Sequence, residues 1–195
     1  MQYLIDRTLL CVAEKCGSTT IDVAAKSLGI PEHRGPAHGE ADRVVCITRH
    51  PVERMISSWR MLYVTPVLKM QRGEWIDPWD LETQDLYVPY VQTHGEDILR
   101  RPMRHWTDFC ANTLPEYVRR RDGHFLPFSR IYTRYAEDPR LECTTNLTGV
   151  LRDLGITAKN QNVGAWPWPD ITLRRFVDAA GDLPHLEPDW QWYDK

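Results

Sequence analysis

A run of polar and charged residues between two apolar segments is the first place where this sequence could do chemistry. The run reads CVAEKCGSTTI over 11–21 and holds one lysine, one glycine and three hydroxyl residues: Lys15, Gly17, Ser18, Thr19 and Thr20. A strand is predicted before it and a helix after it. The N-terminus of a helix binds anions, because its first amide groups have no acceptor within the helix and its dipole is positive there. We therefore predict an anion-binding loop in which Lys15 supplies a point charge.

The order of these residues differs from the phosphate loop of nucleotide triphosphatases. That loop reads G-x-x-x-x-G-K-[ST], with lysine after the second glycine. Here Lys15 precedes Gly17, and no other glycine stands in the run. The next predicted strand ends in Arg49, where an aspartate that coordinates magnesium would be expected. A metal-free anion site is therefore favoured over a magnesium-triphosphate site, and an ordinary strand-to-helix turn is the alternative.

A second polar motif follows the next apolar run. In TRHPVERMISSWR, residues 48–60, Arg49 leaves the predicted strand and Ser57 lies about two turns into the following helix. A guanidinium group and a hydroxyl group can hold a phosphate dianion without a metal. Two anion sites at neighbouring strand ends suit a nucleoside that carries phosphates at both ends. The activated sulfate donor 3′-phosphoadenosine-5′-phosphosulfate (PAPS) has that shape.

The elements that must position these loops alternate along the chain. Residues 8–13 and 43–49 are short apolar runs, typical of strands covered on both faces. Helical spacing predicts one helix over 21–30 and another that opens at Pro51. This order is the start of a parallel α/β fold, in which both loops lie at the carboxyl ends of strands.

The rest of the chain completes the predicted fold. A loop leading into a strand is predicted over 124–135, and helices are predicted over 104–121 as far as Pro115, over 144–156 and over 170–181. A length of 195 residues fits one domain. The predicted fold class is α/β: a single P-loop-like domain over 1–195, with a central, mainly parallel sheet flanked by helices.

Charge and cysteine usage narrow the class of protein. The formal net charge is −3, and basic runs such as 119–121 are not interleaved with aromatic residues, so nucleic-acid binding is not expected. Five cysteines without C-x-x-C spacing argue against a disulfide framework and a zinc site, and no metal is predicted. No signal-peptide layout and no run of about 20 apolar residues occur, so no membrane span is expected. We expect a cytoplasmic protein.

The two motifs resemble those of a known enzyme family. VAEKCGSTT (12–20) looks like the 5′-phosphosulfate loop of PAPS-dependent sulfotransferases, and RHPVERMISSWR (49–60) looks like their 3′-phosphate motif, commonly R-D-P-x-x-R-x-x-S-x-x-R. DGHFLPFS, KNQNVG and LEPDWQWY are similar to later segments of that family. The resemblance is closest to the carbohydrate (Golgi-type) branch, here as a small soluble form. His50 departs from it, because it replaces the usual acid after Arg49.

The resemblance implies an enzyme that moves the sulfuryl group of PAPS to a hydroxyl of a carbohydrate-like or other small-molecule acceptor. The product is adenosine 3′,5′-bisphosphate (PAP), and no metal is implied. The residues that would bind the 5′-phosphosulfate are Lys15, Cys16, Gly17, Ser18, Thr19 and Thr20. Lys15 would also neutralise charge on the leaving phosphate. Arg49 and Ser57 would bind the 3′-phosphate, with Arg54 either assisting them or forming a surface ion pair.

Transfer to a hydroxyl group also needs a base, and two histidines are candidates. His124 lies in the segment that resembles the family's histidine–aromatic–x–proline pattern. His38 lies just before the second predicted strand, where some relatives place a catalytic histidine. It would reach the carboxyl edge of the sheet only if the connection 31–42 folds back over the site. We therefore favour His124 over His38, with Glu14 as a third candidate.

Other classes of function stay open at this point. A P-loop kinase or nucleotide hydrolase is one, and a non-catalytic nucleotide-binding relative is another. Tryptophans outside the donor motifs are candidates for stacking on sugar rings, although packing in the core or in a lid is the preferred interpretation. They are Trp75, Trp79, Trp166 and Trp168.

Overall fold

The computed structural model of the protein describes residues 1–33, 39–74, 83–158, 166–180, 183 and 192–193. These ranges are α/β, as predicted, and they form two compact units. Unit 1 combines Met1–Pro51, Pro127–Ala165 and His185–Lys195, and unit 2 combines Val52–Leu126 and Trp166–Pro184. The single domain over 1–195 stays a prediction.

Unit 1 is built on a four-stranded sheet in the order β1-β2-β3-β4. The strands are β1 (Gln2–Ile5), β2 (Thr8–Val12), β3 (Arg43–Ile47) and β4 (Leu141–Thr144). β2, β3 and β4 are parallel to their neighbours, whereas β1 is antiparallel to β2. The sheet is therefore mixed. β2 and β3 confirm the two strands predicted over 8–13 and 43–49, and each ends slightly earlier than expected.

The first strand escaped the sequence analysis because of its turn. The pairing of Ile5 with Thr8 leaves only Asp6 and Arg7 between β1 and β2. These two residues have φ values of 45° and 60°, as a type I′ hairpin turn requires. Such turns usually contain glycine, and its absence here concealed the hairpin. Arg7 Nη2 donates to Asp42 Oδ1 at 2.6 Å, across the turn that leads into β3.

The helices of the described ranges follow in chain order. They are α1 (Ser18–Ser27), α2 (Pro51–Trp59), α3 (Thr65–Gln71), α4 (Gln84–Arg100), α5 (Pro102–Asp108), α6 (Leu114–Arg119), α7 (Phe128–Ile131), α8 (Leu147–Asp153) and α9 (Leu173–Ala180). Ile21, Ala24 and Ala25 of α1 and Val150 and Leu151 of α8 are buried with β2 and β3 in one core. The coarse prediction of a sheet flanked by helices is thus confirmed within unit 1.

Prolines in unit 2 show how a helix continues past a residue that usually ends it. The helix predicted over 104–121 was expected to end at Pro115, but α6 contains Pro115 in its first turn. Pro66 has the same place in α3. π-helical segments, Arg60–Val64 and Phe109–Thr113, precede these two helices. Because a π-helical turn is wider, we infer that it relieves the clash of the proline ring with the preceding turn.

The prediction of a loop leading into a strand over 124–135 was wrong. α7 and a 3-10 helix, Thr133–Tyr135, occupy its second half. Phe128, Tyr132 and Tyr135 are all buried in the core of unit 1. Their spacing of four and then three residues is helical, but the aromatic and β-branched content of the segment favoured a strand. Tertiary burial overrides that preference here.

Tyr132 fixes the ends of two strands to each other. Its hydroxyl accepts a hydrogen bond from the Ala13 amide at 2.8 Å and donates one to the Ile47 carbonyl at 2.8 Å. The side chain is only 2% exposed, between the rings of Phe128 and Trp192. Burial holds the pKa of Tyr132 well above its usual range, so the hydroxyl stays protonated. One side chain therefore sets where both loops begin.

Unit 2 has an aromatic core. Trp168 is buried and its Nε1 donates to the Leu99 carbonyl at 2.9 Å, while Trp166 Nε1 donates to the Ile171 carbonyl at 2.6 Å. The Trp166 ring contacts Phe176 edge-on and lies under the Arg60 guanidinium. Packing is therefore the role of both tryptophans, as preferred from the sequence. Trp75 and Trp79 lie outside the described residues.

The sequence predicts no membrane span. In the part of the chain that the structure describes, no helix has the length and apolar character that a bilayer crossing demands.

Replacement of Tyr132 tests its part in the fold. We expect Tyr132→Phe to lower the free energy of unfolding by about 1–3 kcal/mol, because the Ala13 amide and the Ile47 carbonyl lose a buried partner. Urea denaturation measures this. Tyr3→Phe is the matched control, since Tyr3 donates to Asp22 at 3.1 Å and that carboxylate also binds Lys26. A loss in Tyr132→Phe no greater than in the control would contradict the assignment.

Candidate functional site

The anion loop was predicted to include Ser18, Thr19 and Thr20, with a helix over 21–30. In the structure, residues 13–17 join β2 to α1 at the carboxyl edge of the sheet, and those three residues form the first turn of α1. The backbones of Lys15 and Gly17 are in the left-handed conformation, with φ values of 62° and 95°. The Cys16 amide donates to the Ala13 carbonyl at 3.2 Å, and the Ile21 amide donates to the Gly17 carbonyl at 3.1 Å, which begins α1. Turns of this kind direct successive amide groups toward one point and bind anions.

Two features favour glycine at position 17. Its φ of 95° is one that side chains rarely adopt. A Cβ atom on Gly17 would also lie 2.3 Å from Cδ2 of Leu147 on α8. Gly17 therefore lets the loop pack against α8 and also turn into α1.

Lys15 is half-buried in this loop. Burial lowers the pKa of the Lys15 ammonium group below its usual value, and the charge of Glu14 partly opposes that shift. Burial penalises the charged form, and a bound anion favours it. An anion in the loop would therefore gain from the Lys15 charge. Glu14 is half-buried next to it in the sequence, and the carboxylate–lysine pairing considered from the sequence stays a prediction.

Arg49 reaches the same loop from the next strand. Its Nη1 donates to the Lys15 carbonyl at 3.2 Å. β2 and β3 are parallel and Val12 is paired with Ile47, so the two motifs start at adjacent strand ends. The structure thus brings the Arg49 guanidinium to the backbone of the loop that carries Lys15 and leads into α1. This edge of unit 1 is the candidate anion site.

Other predicted residues lie in unit 2. Ser57 is half-buried on α2. Arg54, on the same helix, is 0% exposed, so a surface ion pair is wrong for it. Its Nη1 donates to the His124 carbonyl at 3.3 Å and its Nη2 donates to the Leu126 carbonyl. Arg54 holds the backbone of the segment that contains the favoured histidine.

His124 has a partner that the sequence analysis missed. Its Nδ1 lies 3.0 Å from Oδ1 of Asp122, and its backbone amide donates to the same oxygen at 2.8 Å. Thr83 Oγ1 donates to the other carboxylate oxygen at 2.9 Å. The D-x-H spacing of Asp122 and His124 could have indicated this pair, but it resembles part of a family motif and was interpreted only in that way. His38, the competing candidate, lies outside the described residues.

A metal site was not predicted. Across the described ranges, no group of three or more His, Cys, Asp or Glu side chains could hold a metal ion. A metal-free donor site stays a prediction.

No family model matches the chain, and no curated protein or solved structure matches it. Membership of the sulfotransferase family therefore depends on the resemblance of the motifs and stays a prediction.

The backbone of Lys15 gives a test that needs no ligand. A left-handed conformation costs a residue with a side chain about 1–2 kcal/mol and costs glycine little. Lys15→Gly should therefore be more stable than Lys15→Ala by about 1 kcal/mol, as measured by chemical denaturation. Val23, exposed within α1, supplies the control, since Val23→Gly should be less stable than Val23→Ala by about 1 kcal/mol. A Lys15→Gly variant less stable than Lys15→Ala would contradict the loop geometry.

Proposed function

We propose that this protein is a PAPS-dependent sulfotransferase that acts on a hydroxyl group of a carbohydrate-like or other small-molecule acceptor. The contact between Arg49 and the Lys15 carbonyl carries the proposal. It joins the two motifs that resemble the family's donor motifs at one edge of one sheet. The alternative, an ordinary strand-to-helix turn that happens to contain Lys15, gives no reason for the Arg49 side chain to reach the loop.

The loop suits the 5′ end of the donor. The first-turn amides of α1 and the hydroxyls of Ser18, Thr19 and Thr20 offer hydrogen bonds to the phosphosulfate, and Lys15 offers a charge. In the reaction the bond between sulfur and the bridging phosphate oxygen breaks, and a bond forms between sulfur and the acceptor oxygen. The 5′-phosphate gains charge as it leaves, and Lys15 stabilises that charge more in the transition state than in the ground state.

The arrangement of β2, α1 and β3 also supports a P-loop-like fold in the proposal. β2 and β3 are parallel neighbours joined through α1, and the candidate loop is the connection between β2 and α1. Arg49 would bind the 3′-phosphate, as the resemblance implies. A 3′-phosphate contact of this kind distinguishes the donor from ordinary adenine nucleotides.

The acceptor hydroxyl must also lose its proton. His124 is the proposed base, because its ring is held by a buried carboxylate in the described part of the chain. His38 remains the alternative. A magnesium-dependent kinase or hydrolase and a non-catalytic relative are the competing functions that experiments must exclude.

PAP binding tests the donor half of the proposal. PAP should raise the melting temperature in the presence of EDTA, because the loop and Arg49 hold both phosphates without a metal. At a concentration 100 times its Kd, PAP should stabilise the fold by about 2.7 kcal/mol. ATP at the same concentration should do far less, since it lacks the 3′-phosphate. Differential scanning fluorimetry measures both.

Two variants, one at each end of β3, test whether Arg49 contributes to the shift in melting temperature that PAP causes. Arg49→Ala should lose most of the shift. Arg43→Ala is the matched control, because Arg43 lies at the opposite end of β3, in an exposed ion pair with Glu142 at 2.6 Å. A shift that required magnesium, or that was larger with ATP, would favour the kinase. PAP binding without sulfuryl transfer to any acceptor would favour the non-catalytic relative.

A further inference from the structure

His124, Asp122 and Thr83 form a hydrogen-bonded chain within unit 2. Both the ring Nδ1 and the backbone amide of His124 lie within 3.0 Å of the same carboxylate oxygen of Asp122. Thr83 Oγ1 donates to the second oxygen at 2.9 Å. The Asp122 side chain is 0% exposed, whereas that of His124 is 15% exposed. The carboxylate is thus enclosed, and the imidazole reaches toward solvent.

Hydrogen bonds fix the backbone on both sides of the Asp122–His124 segment. α6 ends in a turn in which Arg121 is left-handed, with a φ of 60°, and the Asp122 amide donates to the Tyr117 carbonyl at 3.1 Å. The His124 carbonyl accepts hydrogen bonds from Ser58 Oγ at 3.0 Å and from Arg54 Nη1. The turn at the end of α6 is the Schellman motif that commonly ends a helix, with Arg121 at the position usually taken by glycine.

The chemistry of the partners determines which ring nitrogen carries the proton. An ionised carboxylate only accepts hydrogen bonds, so Nδ1 must donate to Asp122. In neutral imidazole the lone pair then lies on Nε2. When Nε2 takes up a proton, the buried carboxylate stabilises the imidazolium that forms. Among the hydrogen bonds described, Asp122 lies at the His124 ring and Arg54 at its backbone carbonyl.

We infer that Asp122 is a positioning residue, which keeps His124 in the Nδ1–H tautomer so that Nε2 is a general base for a neutral hydroxyl acceptor. Asp122 has this role within the proposed sulfotransferase function, on which the kinetic readouts depend. The hydrogen bond from Nδ1 to Asp122 gives the His124 ring the fixed orientation that a base needs. Thr83 supports Asp122 in turn.

The tautomer can be measured without any substrate. Nitrogen-15 NMR of the histidine side chains, with His124 assigned through His124→Gln, should show the Nδ1–H tautomer in the wild type. Asp122→Ala should lose that fixed tautomer. Ser58→Ala, the matched control, removes a hydrogen bond to the His124 carbonyl but none to the ring, so the tautomer should persist. A wild-type His124 in the Nε2–H form or in a mixture of tautomers would overturn the inference.

Turnover separates a positioning role from a merely structural one. With radiolabelled PAPS and a panel of mono- and disaccharides, Asp122→Asn should lower kcat roughly 10²–10⁴-fold with little change in the KM for PAPS. Ser58→Ala should change kcat far less, because it removes no hydrogen bond to the ring.

A double-mutant cycle decides whether Asp122 acts through His124. Asp122→Asn should have almost no further effect on kcat in a His124→Ala background, because residues that act as a unit are not additive. Additive losses, or an Asp122→Asn enzyme with wild-type kcat, would overturn the inference. A wild-type protein that transfers no sulfuryl group to any acceptor would contradict the proposed function, and the NMR comparison would still decide the role of Asp122.

Discussion

The hydrogen bonds of one buried hydroxyl determine where both anion motifs begin. Tyr132 accepts from the Ala13 amide at the end of β2 and donates to the Ile47 carbonyl at the end of β3. Since these two strands are parallel and adjacent, the loop with Lys15 and the segment with Arg49 leave the sheet side by side. Without this constraint the strand ends would have two buried polar groups to satisfy elsewhere. The candidate anion site therefore depends on a residue that binds no ligand itself.

Left-handed residues mark both candidate centres. Lys15 in the anion loop and Arg121 before Asp122 have positive φ values although neither is glycine. A lysine at that position forgoes the stability that glycine would give, and it supplies the charge that the proposed reaction requires. Arg121 ends α6 in a Schellman motif, where glycine is usual, and Asp122 follows it directly.

Much of the fold could be predicted from the sequence because its signals were local. The apolar runs of β2 and β3 and the proline that opens α2 each carry their own pattern. β1 could not be predicted, because its type I′ turn is made by Asp6 and Arg7 rather than by glycine. α7 was not predicted because the aromatic residues of its segment favour a strand, whereas their burial in the core stabilises a helix. Asp122 was missed because its pairing with His124 depends on rotamers and burial, which spacing alone does not determine.

The central claim is that the loop between β2 and α1 binds a sulfuryl donor for transfer. The most direct test incubates the protein with PAPS labelled in its sulfur and a panel of hydroxyl-bearing saccharides, in EDTA, and follows the label. The account predicts that label appears on at least one acceptor with the wild type, and that Lys15→Ala lowers this transfer by a larger factor than it lowers the affinity for PAP. Label that stays in PAPS for every acceptor, together with magnesium-dependent hydrolysis of ATP by the same protein, would contradict it.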